Sequence, residues 1–525
     1  RGLGDVYKRQ TISIDRPMGI PNSMEEGEAD GLYLPYNYVA DMLIDGKPFY
    51  ANAKLNGDFA FNWLKSSHTL KLGAEWKLSK NFGDGQVYDI TRPLQTASTT
   101  RPRNYSDIPT RQELSIYAEE QMKLSLGKHE FFLSAGVRAN TFIGLSDKFA
   151  MQGKLYFDPR FNLKWSLPAL GKNKDWHIDI SGGIGWLSRM PTTAQLYPDD
   201  LYVDVVQLNY YHNNPDFRRI NMMTYKWDNT NYDLEPARNR KWEVRVNVDH
   251  KGYGFSITYF QEHMNNAFRN KSYYRTLAYK KYDTSSINSS ELTAPPALED
   301  LSYTEDALIN TYETTGNGTR VDKEGVEFTF HTQRIKPLRT RFTVTGAWLK
   351  STYSNNAIRY KEASVMINGE QLQYVGMYNW DSNSKIQEQF NTNFTADTYL
   401  QKIGMIFSLA AQCTWYTASQ PLWNSGMPSS YVDKGGNIHP FTEADAKDAQ
   451  LQHLVSIYGD TYFDRITVPF EMNLNLKATK QIGKYLDLSL FVNRLLTVSP
   501  DYHRGTQLIR RTTNPYFGME ANLRF

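Results

Sequence analysis

The sequence of 525 residues holds one cysteine, Cys413, which excludes an intrachain disulfide framework and any cysteine-rich metal site. No run of eighteen consecutive apolar residues occurs, so no segment qualifies as a transmembrane helix. The longest stretch without charge, residues 403–432, is broken by Ser, Gln, Thr, Asn and Pro. Neither charge sign dominates: 59 basic and 56 acidic side chains leave a formal +3, too little for a nucleic-acid footprint. His-Glu-x-x-His, Gly-x-Ser-x-Gly, Walker and Cys-x-x-Cys patterns are also missing, so no catalytic residue and no metal site is assigned. What the chain does have is aromatic surface. Aromatics make up 14% of it, with 35 Tyr and 11 Trp, in a sequence that is polar overall. Exposed strands and long polar loops suit that composition better than helices do.

Hydrophobicity alternates with a period of two along most of the chain. Trp242, Val244, Val246 and Val248 alternate with Lys241, Glu243, Arg245 and Asn247. The same holds for Leu70, Leu72, Ala74 and Trp76 against Lys71, Gly73 and Glu75, and for Phe517, Met519, Ala521, Leu523 and Phe525 against Gly518, Glu520, Asn522 and Arg524. A helix would scatter each set around its axis, whereas a strand puts it on one face. The runs last about 9 to 14 residues, longer than the usual 5 or 6 of globular strands and long enough for a tilted strand to cross a hydrocarbon core. Charge on the polar face is costly inside a sandwich and natural in a wet or plugged lumen. Trp63, Trp76, Trp165, Trp176, Trp186, Trp348 and Trp415 stand at strand ends, as an interfacial girdle requires.

The connections alternate as well. Short links near 66–67, 127–128, 251–252, 335–337 and 401 separate long polar links at 80–111, 189–238, 266–318, 353–385 and 419–466. The expected fold is all-β: an antiparallel transmembrane β-barrel with short periplasmic turns and long extracellular loops. About fifteen strands are expected from Phe49 onward, with a possible further one across Tyr36–Ile44. A soluble glycan-binding β-protein is the alternative architecture, and it would bury the apolar faces instead.

Several segments resemble the barrel of a TonB-dependent outer-membrane receptor. Residues 183–198, GIGWLSRMPTTAQLYP, resemble the family's strand that ends in a Phe-Arg-Ala-Pro box, with Leu187 in place of the usual Phe. Residues 231–243, NYDLEPARNRKWE, resemble its Asn-Pro-x-Leu-x-Pro-Glu-Arg box, with Tyr232 and Ala237 as departures. Asp158-Pro-Arg-Phe-Asn-Leu163 resembles the short Pro-Arg strand opening, Phe491-Val-Asn-Arg-Leu-Leu496 the penultimate-strand Asn-Leu motif, and Asn514 to Phe525 the aromatic-terminated last strand. Asn81–Gly85 and Arg101–Pro109 resemble Bacteroidetes members.

The resemblance implies a receptor of the outer membrane of a Gram-negative bacterium that actively imports a large scarce nutrient: a siderophore or other metal chelate, cobalamin or an oligosaccharide. It implies outer-membrane lipid, the insertion machinery and TonB-ExbB-ExbD as partners, the last through a preceding segment. It implies neither an enzyme nor a nucleic-acid partner. Such barrels have about 22 strands, so about fifteen or sixteen here make residues 11–525 a partial barrel that lacks its plug. Residues 1–10, RGLGDVYKRQ, show no period or turn logic and are set aside as a sequencing or assembly artefact. A passive porin is the alternative if no plug precedes the barrel.

Cargo contacts are expected from loop 189–238, through Tyr197, Tyr202, Tyr210, Tyr211, His212 and Trp227, because Tyr and Trp offer rigid amphipathic surface. Haem receptors of the family carry an axial His between the two boxes, where His212 stands. A single histidine in a polar loop has a plainer structural reading, and no cofactor is assigned. Asp199, Asp200 and Asp204 have the chemistry of calcium ligands, and Lys226, Arg238, Arg240 and Lys241 that of an anion trap, though solvated loop and mixed lumen charge explain both groups. Gly182, Gly183 and Gly185 lie in a strand without a following helix, so close packing is expected there and not a dinucleotide site. Phe517 and Phe525 are expected, by the resemblance, to be read by the insertion machinery.

Overall fold

A computed structural model describes residues 5–95, 100–355, 357–367, 370–381 and 383–523. One antiparallel sheet dominates, and fifteen of its strands follow a single path in which each pairs with its sequence neighbour in the sheet. In chain order they are β1 (Pro48–Trp63), β2 (Ser66–Asn81), β3 (Arg111–Leu126), β4 (His129–Ile143), β5 (Tyr156–Ser166), β6 (Trp176–Arg189), β7 (Ala237–His250) and β8 (Tyr253–Tyr282). There follow β9 (Tyr303–His331), β10 (Thr340–Asn355), β11 (Lys385–Leu400), β12 (Met405–Pro421), β13 (Glu471–Ile482), β14 (Leu486–Val498) and β15 (Tyr516–Leu523). The strand Ile466–Val468 pairs with β12 off this path. Among the described residues β1 and β15 are the two ends of the sheet and do not pair with each other.

The register explains the alternation. Val246 pairs with Ile257, Ile257 with Phe328, and Phe328 with Gly346, so one apolar row crosses four strands. That face is open. Leu55, Phe59, Ile116, Val137, Ile184, Val244, Ile257, Phe394, Leu409 and Leu490 are all exposed, Leu55 by 75%. A two-sheet sandwich would have covered these rows, so the soluble alternative does not describe this fold. Trp63, Trp165 and Trp176 mark the apolar face at its short-turn end, and Trp76, Trp186, Trp348 and Trp415 mark it nearer the long loops. The opposite face carries ion pairs such as Glu75–Arg138 at 2.6 Å and Lys164–Asp179 at 2.8 Å. Glycine appears on it where a neighbour must lie flat. A Cβ on Gly183 would meet Asn162 Oδ1 at 2.2 Å and one on Gly182 the Glu243 carbonyl oxygen at 3.2 Å, so close packing accounts for these two of the three glycines of β6, while Gly185 has ordinary contact at 3.4 Å.

β15 pairs with β14 from Tyr516↔Asn493 to Leu523↔Leu486. Glu520 reaches Lys477 on the polar face at 2.8 Å, while Phe517, Met519 and Leu523 are exposed on the apolar one. Phe525 lies outside the described residues.

At one end the strands are joined by residues 64–65, 127–128, 167–175, 251–252, 332–339, 401–404 and 483–485. At the other the links are 82–110, 144–155, 190–236, 283–302, 356–384, 422–470 and 499–515. Two expectations need correction. Residues 266–318 are not one long loop, because β8 runs on to Tyr282 and β9 starts at Tyr303. Beyond the apolar rows nothing demands alternation, and cross-strand Tyr pairs such as Tyr273–Tyr312, centroids 5.6 Å apart, hold the ladder instead. The candidate strand at Tyr36–Ile44 forms as Asn37–Asp45, but in a separate three-stranded sheet with Asp5–Ser13 and Gly85–Tyr88. Residues 5–13 of the opening pair with it in that sheet, which does not bear on the origin of residues 1–10.

Candidate functional site at the long-loop end

β8 and β9 are 30 and 29 residues long. A membrane crossing uses about 9–11 residues, so roughly two thirds of this hairpin stands clear of the apolar rows. Loops pack against it. The hairpin Leu201–Tyr210/Arg219–Trp227 lies on it through Trp227, whose ring meets Tyr312 edge-on at 5.3 Å and carries Arg275 over its face at 4.8 Å. The strand Gly27–Asp30 extends that hairpin to three strands.

The six expected contact residues do not share one surface. Tyr197 follows the short helix Thr193–Leu196, whose first turn is closed by Thr192 N–H donating to Gln195 Oε1 at 2.9 Å. Its ring joins the apolar cluster of Phe142, Phe149, Met151, Leu196 and Leu234. Tyr202 is buried between Arg101 and Lys226, whose charges lie 4.8 and 5.5 Å from its ring centre. Trp227 is buried too. Tyr210, Tyr211 and His212 sit together at the hairpin tip, where Arg218 covers Tyr211 at 4.1 Å and Tyr33 meets it edge-on at 5.4 Å. His212 Nδ1 accepts the Asn214 N–H at 3.0 Å, and its ring packs on Phe217. The imidazole thus closes a turn. Tyr211 is the one of the six that is exposed.

Charge in the loops is matched pair by pair. Asp199 faces Arg103 at 2.7 Å, Asp200 faces Lys226 at 3.5 Å, and Asp204 accepts two bonds from Arg101 at 2.8 and 2.6 Å. No group of three or more metal-ligating side chains occurs among the described residues. The four cations read as an anion trap separate by strand parity. Arg238 and Arg240 share the apolar face with Trp242, Lys241 takes the opposite face, and Lys226 belongs to the loop hairpin.

A polar cavity of about 580 Å³ lies where β8–β11 meet their loops. Buried Asp381 is its hinge, accepting from Arg269, from Arg359 at 3.3 Å and from the Asn383 N–H at 3.0 Å. Burial pushes the Asp381 carboxyl up, but the Arg269 bond, the Asn383 N–H and the two guanidinium charges hold it below the ordinary value. Lys271 and Lys385 also line the cavity and make no ion pair among the described residues, which leaves two ammonium groups for a ligand. Ser272, Asn355 and Ser384 add polar lining, and Arg269, Lys271, Arg359 and Lys385 outnumber the carboxylates Glu313 and Asp381, a balance suited to a polar, anionic guest. These residues come from four separated segments, so no local motif announces the cavity. Its one sequence signal is the excess of Lys and Arg over Asp and Glu in those segments.

The family model described as "TonB dependent receptor-like, beta-barrel" matches residues 10–493. The chain belongs to this family. Solved relatives of the receptor barrel include the ferric enterobactin receptor of Pseudomonas aeruginosa, at 14% identity and TM-score 0.45, covering 94% of this chain and 53% of that one. The siderophore receptor PirA of the same organism matches at 12% identity and TM-score 0.43, covering 99% and 64%. The RagAB peptide transporter matches at 11% and 0.42, covering 94% and 55%. The chain thus spans about half the length of the enterobactin receptor. Among curated protein sequences the comparison returns no match.

Proposed function

We propose that this chain is barrel from an outer-membrane receptor of a Gram-negative bacterium, which captures a large scarce nutrient at the long-loop end for TonB-ExbB-ExbD-driven import. The observation that carries the reading is the pairing of an open apolar face with a polar, cation-rich cavity beyond one end of it. Leaving Leu or Phe side chains in water forgoes about 1.5–3 kcal/mol each, so a continuous belt of them calls for lipid. The long loops are then extracellular and the short turns periplasmic. The cargo classes remain siderophore or other metal chelate, cobalamin and oligosaccharide. Lys271 and Lys385 favour an anionic member, because ammonium groups select by charge. Tyr211, with Tyr210 and His212 beside it, offers the exposed aromatic surface of the expected contact set, and the other three act by holding the loops. The insertion machinery is the further partner, through Phe517 and Phe525.

The test is uptake of labelled ferric chelates, cobalamin and oligosaccharides by the native host with and without the receptor gene. Saturable uptake of one class, abolished by deleting tonB or by an uncoupler, is the expected result. Uptake that stays linear with concentration and ignores the uncoupler would indicate a porin and refute the proposal.

A further inference from the structure

At the short-turn end of β2 three polar side chains stand in line. Ser66 Oγ lies 2.7 Å from His68 Nε2, and His68 Nδ1 lies 2.6 Å from Glu120 Oε1. The pleat puts Ser66 and His68 on one face of β2, and Glu120 shares that face because it pairs with Leu70. Among the described residues His68 is the one imidazole that joins a hydroxyl on one nitrogen to a carboxylate on the other. The residue is 6% exposed, and its ring stacks on Phe61 at 4.9 Å, which fixes its plane. Glu120 stands 52 residues away in the chain, so only the β2–β3 pairing assembles the line.

The proton positions follow from the partners. Nδ1 faces a carboxylate and therefore carries a proton, which makes Nε2 the acceptor when the ring is neutral. Ser66 Oγ also donates to the Trp63 carbonyl at 2.7 Å. The hydroxyl proton thus has two acceptors and turns to Nε2 only when that nitrogen is free. A histidine that merely filled a structural gap would need no opening at the hydroxyl, yet a cavity of about 410 Å³ opens there. Ser66 and His68 share its wall with Trp63, Leu64, Met122 and Leu124, an apolar slot beside one hydroxyl.

We propose that Ser66, His68 and Glu120 form a serine hydrolase site for carboxylic esters of fatty acids, an activity separate from import. Ser66 Oγ attacks the ester carbonyl carbon while its proton passes to His68 Nε2. The tetrahedral carbon then expels the alcohol, which leaves with that proton. Water adds to the Ser66 ester and gives its proton to Nε2, from which it returns to Ser66 Oγ as the fatty acid departs. Glu120 is a positioning residue that holds the imidazole in its Nδ1–H form. The Leu64 and Lys65 N–H groups have no acceptor among the described residues and are the turn's donors for the oxyanion. The apolar slot takes the acyl chain.

The test uses the protein purified in detergent, with a fluorophosphonate as covalent probe and p-nitrophenyl octanoate as soluble ester. Ser66 should carry the label, and Ser67, on the opposite face, should not. Ser66→Ala should abolish hydrolysis, and His68→Gln should lower kcat by about 10²–10⁴-fold. Glu120→Gln should lower kcat about tenfold or more with KM unchanged, because Glu120 touches the imidazole and not the ester. Ser67→Ala should change nothing. The groups facing His68 are Phe61 and Trp63 from β1, Glu120 from β3 and Lys65 from the turn, and the rate should rise with pH as the imidazole loses its second proton. Phosphatidylethanolamine in mixed micelles separates the sources: its cleavage names membrane lipid, and cleavage of the octanoate alone a soluble ester. Absence of label at Ser66, hydrolysis that survives Ser66→Ala, or a rate flat from about pH 5 to 8 would overturn the proposal, provided heat-modifiable migration shows the barrel folded.

Discussion

Among the described residues Arg101 and Asp204 form the most deeply buried ion pair between loops, with side chains 5% and 13% exposed. The pair joins link 82–110 to the hairpin 201–227, and it holds Tyr202 under the Arg101 guanidinium. Arg101→Met keeps much of the volume and removes the charge. Asp204 would keep one side-chain bond, from Thr224 Oγ1 at 2.8 Å, and face the protein as an uncompensated carboxylate. Breaking one partner of a buried pair costs about 3–5 kcal/mol, and such burial leaves little solvent to screen it. Arg101 Nε has no hydrogen-bond partner, an existing defect that places the expected loss towards the lower end. The cost falls on local opening of the loops and not on the barrel ladder. Hydrogen exchange of amides in 100–105 and 201–206 should therefore accelerate by about two orders of magnitude or more, since each 1.4 kcal/mol is tenfold. Amides of β9–β12 should not change. Adding Asp204→Leu to Arg101→Met should restore most of the protection, because it removes the stranded charge. Exchange within twofold of the parent in the single variant would refute the idea that this pair fastens the two loops.

Lys271→Gln with Lys385→Gln should weaken capture of an anionic cargo by about tenfold in a direct binding measurement while the protein stays folded; unchanged binding would move the cargo away from this cavity. The Asp433 carboxyl is held down to about 2 by the His439 bond and by backbone N–H groups, Asn437 among them. Its folded value lies below the unfolded one, so its contribution to the turn 432–438 is full above about pH 4 and lost as pH falls towards 2. Fluorine NMR of a fluorotyrosine at Tyr431, which stacks on His439 at 5.0 Å, should show that transition, and Asp433→Asn should abolish it. On the proposed insertion role of the exposed ring at the start of β15, Phe517→Ala should lower the amount of heat-modifiable receptor in the outer membrane. Equal assembly would count against that role.

The strand ladder was legible because its information is local. Trp242 to Val248 and Phe517 to Leu523 alternate within a few residues, and a pleated strand turns that period directly into two faces. The alternation of short and long links was legible for the same reason, though not the extent of every link. Where the alternation stops, so does the legibility. The polar, Tyr-rich stretch 266–318 reads as loop, yet it carries strand to Tyr282 and from Tyr303, because paired tyrosines replace the apolar face. The candidate site depended on tertiary structure most of all. Tyr202 and Trp227 look like offered aromatics until Arg101 and Arg275, from other loops, come to lie over them. Arg240 and Lys241 look like one basic cluster until the pleat sends them to opposite faces. The cavity around Asp381 draws on segments more than a hundred residues apart. Period-two patterning is a property of neighbours in the chain, whereas burial, charge pairing and cavity shape belong to groups that meet only when distant strands and loops are brought together.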